Sequence, residues 1–223
     1  MDTFKIAKNS LAKYYFTVIM LMLLTGCQSA YYSAMEKVGV HKREIMLDRV
    51  ESAQSAQEEA QQQFKSALDQ LSELINYDGG DLATQYELVN DQYEASKAAA
   101  DDVSSRIAAI ESVADALFDE WNEEVQQYSS NNLKQQSQQK LRNTQRNYQS
   151  LIKAMHRAKD RMAPVLSALK DNSLYLKHNL NAQAIGALQG EYKTIKRDIE
   201  SLVAEMSKSI AQSQKFIDLL QPE

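Results

Sequence analysis

LATQYELVNDQYEASKAAADDVSSRIAAIESVADALFDEW, residues 82–121, decides the fold. Its apolar and small residues fall at Leu82, Tyr86, Val89, Tyr93, Ser96, Ala100, Val103, Ile107, Ile110, Ala114, Leu117 and Trp121. The steps alternate between four and three, which is the period of a helix burying one continuous seam. A half-buried strand would alternate at every second residue instead.

The same spacing recurs on both sides. Upstream, a seam runs Met46, Val50, Ala53, Gln57, Ala60, Phe64, Ala67, Leu71, Leu74. Asp78-Gly79-Gly80-Asp81 breaks it: glycine supplies positive φ at a helix end and Asp81 caps the next helix. Downstream, Ser129-Ser130-Asn131-Asn132 offers a turn and a cap. A third seam then runs Leu141, Thr144, Tyr148, Leu151, Met155, Ala158, Met162, Val165, Leu169, with Pro164 beside it as an expected kink. His178-Asn179-Leu180-Asn181 reads as the third turn. The last seam runs Ile185, Leu188, Tyr192, Ile195, Ile199, Leu202, Met206, Ser209, Ser213, Phe216, Leu220.

The expected helices are therefore 33–77, 81–129, 132–178 and 181–220. The expected fold is all-α: an elongated antiparallel four-helix bundle, or paired coiled-coil hairpins, of helices about 60–70 Å long at 1.5 Å per residue. Small seam residues (Ala53, Ala60, Ala67, Ala100, Ala114) favour close approach, and the narrow seams leave a homo-oligomer open. Two Pro and six Gly are too few for a turn-rich sandwich or for repeated βα units.

The first 26 residues read as an address and not as part of the fold. Lys5, Lys8 and Lys13 form a basic start, and an apolar run follows from Tyr14 to Leu24. That run is about half of the roughly 20 residues a spanning helix needs. It ends in Leu24-Thr25-Gly26-Cys27, which resembles the bacterial lipobox. The resemblance implies cleavage after Gly26, a diacylglyceryl group on Cys27 and further acylation, palmitate included, at the new amino terminus. Gln28 in place of Asp resembles the outer-membrane sorting signal of Gram-negative lipoproteins, which places the body on the periplasmic face of that membrane. A lipidated tether over 27–32 and a single helical domain over 33–223 complete the expected organisation. Cys27 is the one cysteine, so no internal disulfide and no cysteine-based metal cluster is available.

Charge is sorted by helix. Residues 81–131 hold 12 acids and 2 bases, and residues 132–178 hold 2 acids and 10 bases. Either complementary flanking charge fixes pairing inside the bundle, or the outer side of the third helix, with Lys153, Arg157 and Arg161, binds an anionic envelope polymer or lipid. Nucleic acid has no access in that compartment.

Little in the chain supports catalysis. Nothing matches a phosphate-binding loop. His156 and Asp160 are four apart, which suits a surface helix pair better than a metal site. His41 lies in a charged stretch, Glu58-Glu59 and Glu123-Glu124 diverge on a helix, and most of Tyr86, Tyr93, Trp121, Tyr128, Tyr148 and Tyr192 lie on a seam or at its frayed end. No cofactor and no metal ligand set is expected beyond the lipid on Cys27. The least regular segment is Leu174–Gly190, apolar around a turn, with Gly186 and Gly190 one turn apart. It reads either as close helix approach at a bundle end or as a docking turn centred on His178, Asn179 and Asn181.

With Cys27, the Asp78–Asp81 turn and the stretch Tyr175-Leu176-Lys177-His178-Asn179-Leu180-Asn181-Ala182-Gln183-Ala184-Ile185, the chain resembles an uncharacterised domain-of-unknown-function family of Gram-negative lipoproteins with long helical hairpins. The resemblance implies placement and helical architecture, without an activity to transfer. The expectation is a non-enzymatic, membrane-anchored scaffold, spacer or adaptor with an envelope protein as partner.

Overall fold

The computed structural model describes residues 27–37, 39–77, 79 and 81–221. The leader expected over 1–26, and Asp78 and Gly80 of the first turn, lie outside the described residues. The chain divides into two units, residues 1–45 and 46–223.

The described part of the first unit contains helix α1 (Cys27–Lys37) and the start of α2 (Lys42–Ile75). Two expectations change here. Residues 27–32, expected as a tether, are helical, and the helix expected over 33–77 is interrupted. Gly39 is the cause. It sits at φ +88°, the one positive φ among the described residues, a region that only glycine enters without strain. Its N–H donates to Glu36 O (3.0 Å) and that of Val40 to Met35 O (3.0 Å). These are the paired bonds that close a helix on a left-handed glycine. The chain restarts at once: the Glu44 carboxylate accepts the His41 backbone N–H at 3.3 Å, the returning half of a capping box. Lys42 pairs with Glu36.

The second unit is an antiparallel four-helix bundle: α2, then α3 (Leu82–Gln127), α4 (Asn131–His178) and α5 (Ala182–Leu220). Cross-helix bonds give the packing order. From α2, Gln63 Nε2 donates to Gln92 Oε1 on α3 (2.8 Å), and Gln61 Nε2 donates to Ser207 Oγ on α5 (2.8 Å). On the other side of the ring, Ser173 Oγ of α4 donates to Asn90 Oδ1 of α3 (3.0 Å), and the Tyr148 ring of α4 meets Phe216 of α5. Each helix thus touches its two antiparallel neighbours, and α2 faces α4 across the core.

The seams are the core. Met46, Val50, Phe64, Leu71 and Leu74 are buried on α2, as are Val103, Ile107 and Ile110 on α3. Leu151, Met155, Met162 and Leu176 do the same for α4, and Ile195, Ile199, Leu202, Met206 and Phe216 for α5. Ala53, Ala60, Ala67, Ala100 and Ala114 are buried at the positions expected to allow close packing. Pro164 lies within α4, which runs on through it. The residue is exposed, so the carbonyl one turn back that loses its donor can turn to water.

The helix starts are capped as their side chains dictate. Ser130 Oγ accepts the Leu133 N–H at 3.4 Å, and Asn181 Oδ1 accepts those of Gln183 (3.0 Å) and Ala184 (3.2 Å). Asp81 accepts the Ala83 N–H and the Thr84 hydroxyl, both at 2.9 Å. The first of these bonds is the main reason that the Asp81 carboxyl is held below its ordinary value of 3.8. A carboxyl depressed in the folded state supports the fold above its unfolded pKa and stops doing so as pH falls through the folded one. Hydrogen exchange at the Ala83 amide should therefore accelerate, relative to the helix centre, on acidification below 3.8. Asp81→Asn, which caps as well without titrating, should abolish that acceleration.

Candidate functional site

Of the aromatic and ionisable side chains that the sequence singled out, Tyr148, Trp121 and His156 lie where α4 meets its neighbours. Tyr148 of α4 packs edge-on against Phe118 of α3 (centroids 5.4 Å) and tilted against Phe216 of α5 (6.5 Å). Burial, then the negative charges of Glu111 and Asp115, push its hydroxyl up to about 12. It stays protonated at neutral pH and does not serve as a base. Trp121 Nε1 donates to Ser137 Oγ at 2.9 Å, so the indole is half-buried structure and not a free stacking platform.

His156 does not pair with Asp160. Its Nε2 lies 2.8 Å from Glu111 Oε1 on α3, so it clips two helices together. Glu111 was not singled out in the sequence, since the contact spans 45 residues. A seven-residue register on both helices would have placed the pair on facing edges. Among the described residues, no group of three or more His, Cys, Asp or Glu side chains converges to hold a metal ion.

The basic surface has a more specific arrangement than charge totals suggest. Arg157 Nε lies 3.7 Å from Glu205 Oε2 on α5, and Lys208 Nζ is 2.7 Å from the other oxygen. The Lys208 hydrogen bond, with the charges of Lys208, Arg157 and Arg161, holds Glu205 below its ordinary value. Arg157 therefore leans toward α5, not toward the acidic α3. Lys153 is exposed, as are Arg142, Arg146, Lys170 and Lys177 along the same helix. Two ion pairs of α3, Lys97–Asp101 and Arg106–Asp102, close within that helix. The strong contrast between α3 and α4 is thus left largely on the outside.

At the turn, Asn181 caps α5 and Asn179 Nδ2 donates to Tyr175 O at 2.8 Å. His178 is exposed, with Leu174, Tyr175 and Leu180 exposed around it. Close helix approach does not account for the glycines: Gly186 and Gly190 are exposed, and a Cβ built on either meets nothing within 4 Å.

Cys27 begins α1. No helix among the described residues is long and apolar enough to cross a membrane.

The second unit is therefore an all-α bundle whose distinguishing surface is a pair of oppositely charged helix backs. The chain belongs to the DUF2959 family, proteins of unknown function, whose family model matches residues 31–220. No curated protein and no solved structure matches it.

Proposed function

We propose that this protein is a lipid-anchored, non-enzymatic scaffold or adaptor of the bacterial cell envelope. The observation that carries the reading is Leu24-Thr25-Gly26-Cys27 at the end of a short apolar run, with Cys27 as the chain's one cysteine. A thiolate is what lipid transfer to protein needs, and no other thiol competes. Several acyl chains at one site hold a chain firmly, since each buried CH₂ contributes about 0.8 kcal/mol. The family match begins at residue 31, just after this site. Helices of 46 and 48 residues reach about 70 Å at 1.5 Å per residue, which suits a spacer that presents its far turns away from a membrane.

Fractionation of cells fed a palmitate analogue tests the anchor. Wild type is expected to take up label and to remain with membranes. Cys27→Ser is expected to lose the label and to release a folded, helical body into the soluble fraction. Persistence of that variant's mature chain, with the leader removed, in washed membranes would sink the proposal.

A further inference from the structure

We infer that the outer face formed by α3 and α4 is a self-association surface, and that its partner is a second copy of this chain lying parallel to the first. Glu87, Glu94 and Asp115 are exposed and fall at multiples of seven residues along α3, so they share one stripe of the helix. Asp115 stands one turn beyond Glu111, which touches α4 through His156, so this stripe borders α4. On α4, Lys170 and Lys177 follow His156 at multiples of seven, and Arg146 lies on the next strip outward; all three are exposed.

The cross-helix contacts Asn90–Ser173, Glu111–His156 and Phe118–Tyr148 set the heights. They bring Glu87 level with Lys177 and Glu94 with Lys170, and set Asp115 about 7 Å along the axis from Arg146. Yet among the described residues no ion pair joins these side chains across the two helices. Glu87 and Glu94 each have an opposite charge at their own height, exposed beside them and not paired with them.

A second molecule satisfies all of them at once in one orientation. Rotation about an axis parallel to the helices lays α3 of each copy on α4 of the other and leaves the heights unchanged. Rotation about an axis across the helices lays α3 on α3, acid on acid. The same stripes therefore favour the parallel pair and penalise the antiparallel one, as charge patterns do when they select orientation. The pair is isologous and closes after two copies. It stands whether or not Cys27 carries lipid.

Sedimentation velocity of the full chain in a neutral detergent reads the association. Wild type is expected to show twice the monomer protein mass at low ionic strength and the monomer mass in about 1 M salt, where the screening length is about 3 Å. One variant, Glu87→Lys with Glu94→Lys and Asp115→Lys, carries two basic stripes. Another, Arg146→Glu with Lys170→Glu and Lys177→Glu, carries two acidic ones. Each alone is expected to stay monomeric, and their equimolar mixture to recover the twofold mass, which also shows that both still fold. Wild type that is monomeric at low salt overturns the assignment. So does a dimer that persists in either variant, or a mixture that stays monomeric while both variants keep their helical circular dichroism. Monomeric wild type that pellets with anionic phospholipid vesicles overturns it too, and gives the basic stripe to a membrane instead.

Discussion

Phe64→Ala lowers the unfolding free energy of the bundle by about 3–5 kcal/mol, the range for deleting a buried aromatic ring. Phe64 is fully buried on α2. Its neighbours one turn either way on the same seam are Ala60 and Ala67, also buried. Alanines cannot swing into the space that a lost ring leaves, so the cavity persists and the cost falls toward the upper part of that range. Urea unfolding monitored by helical circular dichroism checks this: the midpoint should drop with the slope unchanged, because the surface exposed on unfolding is nearly the same. A loss below 1 kcal/mol would mean that the α2 seam packs far more loosely than its burial implies. Leu133→Ala, at a site 52% exposed, is the matched control and should leave the midpoint in place.

Gln57→Leu works in the opposite direction. Gln57 occupies a seam position with no exposed surface, and neither Oε1 nor Nε2 has a hydrogen-bond partner. It lies between Gln54 and Gln61, which bond to Gln214 and Ser207. That places it in one core layer with Ser209 and Ser213, and the Ser209 hydroxyl also lacks a partner. A buried amide left unpaired costs about 1–3 kcal/mol, and leucine of similar size removes that cost without opening a cavity. The expected result is a stabilisation of that order, read as a melting point raised by about 2–4 °C per kcal/mol for a domain of this size. Gln57→Ala should destabilise, because it substitutes a void for the amide. If leucine also destabilises, the amide is satisfied in solution, and water in the layer is the physical reason. A lone polar residue in a helical seam commonly fixes register. The leucine variant should accordingly tolerate a shifted α2 more readily, seen as faster amide exchange along Met46–Ala60.

The architecture was legible because burial obeys periodicity. Every seam position from Leu141 to Leu169 proved at least half-buried, and the turns fell within a few residues of their Ser, Asn and Asp caps. What escaped the sequence was local or pairwise. A single glycine inside a helical pattern costs only about 1 kcal/mol against alanine, so Gly39 gave little warning that it would end a helix. The same residue type at Gly186 and Gly190 invited a close-packing interpretation that their open surroundings remove. Charge totals showed that α3 and α4 differ but not where on each helix the charges point. Arg157 turned to Glu205 on α5 and His156 to Glu111 on α3, and both partners lie far away in the chain.

The alternation of four antiparallel helices also has a mechanical consequence. Residue 46 and residue 220 stand at one end of the bundle, and the turns after Ile75 and His178 stand at the other. Tension between residues 46 and 220 opens the bundle from that end, parting α2 from α5 a turn at a time against a few contacts at each step. Tension between residue 46 and Asn179 runs along the helices, so the whole α2 seam must slide past its neighbours together. The same fold is compliant to one direction of load and stiff to the other.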